Sequence, residues 1–236
     1  MLMKIYGQAF KVLMKKPLKL WGIILLGLVL SGVLGGLCGF AIPGLALCVG
    51  LLIGTSMTMI FLKGYRGEEV STPDLFTCFK DWNTIKRVLL GMGWMYLWIF
   101  IWSLIPIVGP IIALVRIYEY RLTPYILVMQ PEVSITDAIK ISAQKTNGYK
   151  LQMFLAEFLF GLVFSLACII LALIPVLGPL VILIAVALAP LFMGLVQAAF
   201  YEEIVGSNAT FCPNCGQRIA EGTSFCANCG TQIPQA

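Results

Sequence analysis

The chain has 236 residues, is 60% hydrophobic and only 11% charged, and has a mean hydropathy of +0.95. A soluble domain carries roughly 25% charged residues, so these values exclude an ordinary soluble fold and point to a multi-pass membrane protein. The net charge is a modest +5, and the absence of histidine removes imidazole acid–base catalysis and imidazole metal ligation.

Residues 1–19 are basic and mildly amphipathic, with Ile5, Phe10, Val12, Leu13 and Leu18 set among Lys4, Lys11, Lys15, Lys16 and Lys19. The apolar run from Leu20 follows without a small-x-small cleavage site. The start therefore reads as an uncleaved first helix rather than a removed leader. A bilayer crossing needs about 20 apolar residues. Six segments qualify: 20–40, 44–62, 88–105, 111–129, 151–174 and 180–201.

These segments repeat. Ile-Pro stands at Ile42-Pro43, Ile105-Pro106 and Ile174-Pro175, and the later two extend to I-P-I-V-G-P and I-P-V-L-G-P. Glu-Val-Ser-x-x-Asp follows 27 residues after the first two, at Glu69 to Asp74 and at Glu132 to Asp137; Glu202-Glu203-Ile204 follows 28 after the third. A period of 63 to 69 residues predicts one unit used three times, over about 1–68, 69–131 and 132–204. Each Ile-Pro ends one helix and starts the next. The expected fold is an all-α membrane protein: six transmembrane helices as three tandem helical hairpins over 1–204, related by a pseudo-threefold axis, plus a small C-terminal zinc ribbon.

All 16 Lys and Arg fall in four blocks: five before the first span, five from Lys63 to Arg87, five from Arg116 to Lys150, and Arg218. None stands at an Ile-Pro corner. Cationic connections stay inside, so both termini and both long connections are expected in the cytoplasm. The Ser71-x-x-Asp74 and Ser134-x-x-Asp137 pairs fit a capping-box variant. Leu75, Phe76, Phe79, Trp82 and Ile85 follow the first, and Ala138, Ile139, Ser142 and Ala143 the second. Each stripe suits a short helix in the headgroup layer or one packed on the bundle. Gly32-x3-Gly36, Gly35-x3-Gly39 and Gly50-x3-Gly54 are expected where the first two spans pack closely within their hairpin.

The fourth span is unusual. It carries Arg116, Glu119 and Arg121 where the second span has Ile53, Ser56 and Thr58. An arginine at mid-bilayer costs about 2.5–3.5 kcal/mol on insertion scales and calls for a partner or a wet cavity. Arg116 and Glu119 are three apart and can meet on one face. Arg121 and Glu157 of the next, antiparallel span lie at matching depth and are expected to pair. The cluster Arg116, Glu119, Arg121 and Glu157 is either a buried ion network that fixes helix order or a polar pocket for an anionic or zwitterionic ligand.

Cys38, Cys48, Cys78 and Cys168 are scattered among apolar residues and read as small hydrophobes. The other four cysteines are clustered. After a polar linker over 205–210, F-C-P-N-C-G-Q-R-I and F-C-A-N-C-G-T-Q-I repeat within 211–236 at a period of 14. Cys212, Cys215, Cys226 and Cys229 form two C-x2-C-G knuckles, a closed four-thiolate set for a structural Zn2+. Two disulfides are the alternative, and they conflict with the cytoplasmic placement. So small a segment has almost no core of its own, and metal binding holds it together. With Arg218 and Glu221 as its charges, the ribbon lacks the basic face of a nucleic-acid reader. The expected partners are the lipid bilayer and a protein that contacts the ribbon. No nucleophile–base pair marks an enzyme.

R-L-T-P-Y-I-L-V-M-Q-P (121–131), D-A-I-K-I-S (137–142), Gly148 before Tyr149-Lys150, and F-Y-E-E (200–203) resemble a family of bacterial integral membrane proteins, the domain-of-unknown-function family numbered 975. That family is similar in layout to the membrane domain of some glycerophosphodiester phosphodiesterases. The resemblance covers roughly residues 1–205. It implies a six-helix bundle in the bacterial plasma membrane and no established activity. The tail separately resembles the zinc ribbons appended to many bacterial membrane proteins. The leading expectation is a non-enzymatic membrane scaffold or regulator; the alternative is a transporter or lipid-handling protein that uses the Arg/Glu cluster.

Overall fold

The structure, a computed structural model, describes residues 2–15, 17–41, 43–175, 177–205, 210–211, 218–219 and 225. Its helices are α1 (Leu2–Lys15), α2 (Pro17–Ala41), α3 (Pro43–Arg66), α4 (Trp82–Ser103), α5 (Val108–Glu119), α6 (Thr123–Met129), α7 (Ile135–Lys145), α8 (Lys150–Ala172) and α9 (Leu177–Val205), with a 3-10 helix at Thr72–Phe79. Two short strands follow, β1 (Thr210–Phe211) and β2 (Arg218–Ile219). Residues cluster into two compact units, Met1–Leu89 with Leu151–Ala199, and Leu90–Lys150 with Phe200–Ala236.

In the first unit α1 is amphipathic. It buries Ile5 and Ala9 and exposes Met3, Phe10 and Met14. The Tyr65 hydroxyl donates to Gln8 Oε1 at 2.9 Å and ties α1 to α3. α2 and α3 pack on each other, but not through the glycine pairs expected from spacing. A Cβ built on Gly32, Gly35, Gly36, Gly50 or Gly54 meets nothing within 4 Å. The close approach of α2 and α3 is at Gly64, whose Cβ would lie 3.1 Å from Leu20 Cδ1, and at Gly27, 3.4 Å from Met57 Sδ and 2.8 Å from Leu75 Cδ2 of the 3-10 helix. Leucine side chains need slots, and these two glycines supply them.

The 3-10 helix begins at a working cap. The Ser71 N–H donates to Asp74 Oδ2 at 2.8 Å, and Lys63 Nζ approaches Asp74 Oδ1 at 2.7 Å. Burial pushes the Asp74 carboxyl up, but the bonds from Lys63 and Ser71 and the Lys63 charge outweigh it and hold the carboxyl below its usual value. Leu75 and Cys78 are buried, and the Cys78 N–H donates to Ser56 Oγ of α3 at 3.2 Å. Phe76 and Trp82 face outward, with Lys86 Nζ 5.4 Å from the Trp82 ring centre. This connection thus packs on the helices along one side and presents aromatic and cationic groups along the other.

Two Ile-Pro corners are described, one in each unit and the second except for Val176, and the same backbone bonds close both. Gly109 N–H donates to Ile105 O at 3.0 Å, and Gly178 N–H to Ile174 O at 3.0 Å. Val108 N–H reaches Pro106 O at 2.7 Å, and Leu177 N–H reaches Pro175 O at 2.9 Å. A Cβ at Gly109 would collide with the Trp102 carbonyl, and one at Gly178 with the Leu171 carbonyl. Neither carbonyl can give way without moving a helix end, so glycine is required there.

Among the described residues five helices are long and apolar enough to cross a membrane: Leu20–Leu37, Gly44–Arg66, Trp82–Ser103, Lys150–Ala172 and Leu177–Val205. The fourth expected span, 111–129, is not one helix. α5 stops at Glu119, residues 120–122 form a turn, and α6 restarts at Thr123. Pro124 is the cause. It has no N–H for the Tyr120 carbonyl, and its ring crowds that carbonyl. Alone, the 12 residues of α5 reach about 18 Å against a hydrocarbon core of about 30 Å.

Candidate functional site at the α5–α6 break and the cysteine tail

The break frees backbone groups that in lipid must find partners. α7 supplies them. Ala138, Ser142 and Thr146 are each fully buried and lie four residues apart on one side of the helix and its C-cap. The Ser142 hydroxyl donates to the Glu119 carbonyl at 2.8 Å, and its oxygen accepts the Leu122 N–H at 3.2 Å. The Thr146 hydroxyl also reaches the Glu119 carbonyl, at 3.2 Å. Ser142 thus replaces the missing rungs of the helix, with Thr146, whose shortest bond is to the Ser142 carbonyl at 2.9 Å, beside it. α7 itself starts at Ser134, whose hydroxyl oxygen accepts the Asp137 N–H at 3.2 Å. Packing along Ala138, Ser142 and Thr146 places this second connection against α5 and α6 rather than leaving its small-residue face to the headgroups.

Beside the break stand the charges. Arg116 Nη1 lies 2.6 Å from Glu119 Oε2, and Lys150 Nζ lies 2.7 Å from Glu119 Oε1. Both carboxylate oxygens are engaged, and the Glu119 side chain is 12% exposed. Arg121 lies over the Tyr118 ring at 5.8 Å, in the range of a cation–π contact. Tyr125, fully buried, stacks on Tyr201 at 4.5 Å. The hydroxyls of Tyr125 and Thr123 are buried without a hydrogen-bond partner among the described residues. On α7, burial pushes the Lys145 ammonium down to about 8.

Arg116 and Glu119 are therefore brought together with a third residue, Lys150, that spacing along one helix did not reveal. Glu157 accepts from Gln197 Nε2 at 3.4 Å within the first unit. Arg121 belongs to the second unit. The buried small face of Ala138, Ser142 and Thr146, at a spacing of four, was a readable sign that α7 packs on a neighbour. Pro124, three residues after Arg121, was a readable sign of the break.

The four ligand candidates Cys212, Cys215, Cys226 and Cys229 lie outside the described residues. The flanking strands are described. Thr210 pairs with Ile219 and Phe211 with Arg218, antiparallel. The donor chemistry fits: four thiolates suit Zn2+. Residues 211–233 match the zinc-ribbon domain family. No curated protein and no solved structure matches the chain. The comparisons lend no support to the family resemblance of residues 1–205, which rests on its motifs. Five long apolar helices and this match make the chain a membrane protein with a zinc ribbon at its C-terminal end.

Proposed function

We propose that the chain is a non-enzymatic membrane scaffold or regulator whose zinc ribbon lies in the cytoplasm and docks a protein. The observation that carries this reading is the zinc-ribbon match over residues 211–233, which hold two C-x2-C pairs, following a body of long apolar helices. Four thiolates complete a tetrahedral ion and leave no position for substrate, which favours structure over catalysis. The near-neutral ribbon offers little to phosphate. Phe225, 61% exposed, offers an apolar contact instead. The cationic connections favour cytoplasmic termini, in the bacterial plasma membrane that the motif resemblance implies.

A photo-crosslinking residue in place of Phe225, in the full chain in cells, tests the reading. One defined protein adduct is expected, lost together with bound zinc in the Cys212→Ser, Cys215→Ser double variant. An adduct that survives zinc loss contradicts docking by the folded ribbon. Labelling of the ribbon cysteines by a membrane-impermeant thiol reagent in intact, metal-depleted cells contradicts the placement.

A second reading, a transporter or lipid-handling protein using Arg116, Glu119, Arg121 and Glu157, is favoured by the α5–α6 break. Interrupted spans are where transporters build their sites. Arg121 pairs with Glu157 in this reading. Arg121→Glu and Glu157→Arg should each impair flux or lipid binding in vesicles, and the double swap should restore it. Failure of the swap contradicts the pairing.

A further inference from the structure

α1, α8 and α9 border a groove of about 880 Å³ within the first unit. Tyr6, Gly7 and Phe10 form its α1 wall, Phe160 and Phe164 its α8 wall, and Phe192 its α9 wall. Their rings stack in a run: Tyr6 on Phe192 at 5.8 Å, Phe192 on Phe160 at 5.3 Å, and Phe160 on Phe164 at 5.7 Å. The Tyr6 hydroxyl is already engaged, donating to the Ala156 carbonyl. A polar ligand would lose its water and gain no hydrogen bond from these rings, whereas a hydrocarbon loses nothing. The volume lies within the roughly 300–1,000 Å³ of sites that enclose small molecules.

The surroundings indicate which hydrocarbon. α8 and α9 are two of the long apolar helices, and Leu159 and Val163, which line the groove, are exposed, Val163 at 65%. Side chains so exposed on a membrane helix are covered by lipid, and the groove is continuous with that surface. α1 adds the charge: Lys4 and Lys11, both exposed, sit three residues before and four after Gly7, on the adjoining side of the helix. Gly7 itself has no conformational need to be glycine. Its φ is ordinary and a Cβ there meets nothing within 4 Å. A glycine inside a helix costs about 1 kcal/mol relative to alanine, and what it provides here is an open groove.

We propose that this groove holds one acyl chain of an anionic phospholipid, whose headgroup lies beside Lys4 and Lys11. A second copy of the chain is a poorer occupant, because a symmetric contact would bring these lysines toward their counterparts.

The test uses the full chain in phosphatidylglycerol vesicles doped with a phosphatidylglycerol that carries a photoreactive diazirine on its acyl chain. After photolysis, adducts at Phe10, Phe160 and Phe164 should exceed those at the exposed Leu183 by about tenfold. Gly7→Leu should reduce them to the Leu183 level, while Gly32→Leu, equally open on α2, should not. Ala189→Phe fills the groove from α9 and should act as Gly7→Leu does. Replacing both Lys4 and Lys11 by Gln should abolish a preference for the phosphatidylglycerol probe over its phosphatidylcholine counterpart. Labelling no stronger than at Leu183 means ordinary bilayer contact and overturns the proposal. So does labelling unchanged by Gly7→Leu and Ala189→Phe, or a chain-to-chain crosslink at Phe10 in place of lipid adducts.

Discussion

α3 and the α5–α6 pair start from Ile-Pro corners 63 residues apart and lead into Glu-Val-Ser segments with the same offset. Yet α3 is one helix of 24 residues, and the other is cut into 12 and 7. The deciding difference is Phe61 in one and Pro124 at the matching position in the other. With its ladder unbroken, α3 has a hydroxyl to give away: Ser56 accepts the Cys78 N–H of the connection that follows. At the matching position Glu119 is the end of a helix, and the connection that follows gives its hydroxyls to the span instead. The direction of support is reversed. Pro190 sharpens the point, because α9 runs through it. A proline alone does not cut a membrane helix; in α5–α6, buried hydroxyls stand ready to take up what the cut exposes.

The largest expected effect lies at the matched pair Glu119 and Ser56. Glu119→Gln removes the shared partner of Arg116 and Lys150; Glu119 is nearly buried, but the two cations keep part of their water, so the change should cost about 2 kcal/mol. Ser56→Ala loses one neutral bond and should cost about 1 kcal/mol. Steric-trapping unfolding in bicelles measures both, and equal losses would erase the contrast. The corners offer a second comparison. Gly109→Ala drives a Cβ into the Trp102 carbonyl and should cost about 2 kcal/mol. Ala46 occupies the matching position in α3, and Ala46→Gly should cost only the propensity difference, about 1 kcal/mol.

The two serine caps give the smallest effect, read by pH. Asp74 has a folded-state pKa held below the ordinary 3.8 with its side chain 10% exposed, while Asp137, also lowered by Ser134 and Lys140, is 55% exposed. A depressed carboxylate contributes stability above its unfolded pKa, and that contribution is lost as pH falls through the folded one. Asp74→Asn should therefore flatten the stability profile below about pH 4. Asp137→Asn should flatten it less, because solvent screens its pair. An equal change in both profiles would mean that burial does not distinguish the caps.

What was legible in the sequence follows from local chemistry. Ile-Pro-x-x-Gly-Pro set the corners, because proline and glycine act within one turn of the chain. The zinc-ribbon match over 211–233 was legible because two C-x2-C pairs suit one ion. Pro124 was hidden inside an apolar run whose length looked sufficient for a span, and length does not register a missing N–H. Lys150 was missed because it lies 31 residues from Glu119 and meets it only through tertiary packing. The glycine spacings in α2 and α3 misled because spacing alone does not fix which side of a helix meets a neighbour; Gly27 and Gly64 make the contact.

The central claim is that Pro124 opens the span and Ser142 holds it open, and a double-mutant cycle between them tests it most directly. In the parent chain Ser142→Ala should cost about 2 kcal/mol, because it leaves the Leu122 amide without a partner. In a Pro124→Ala background, where the helix ladder can close over that amide, the same change should cost about 1 kcal/mol less. A Ser142→Ala loss of equal size in both backgrounds would contradict the account.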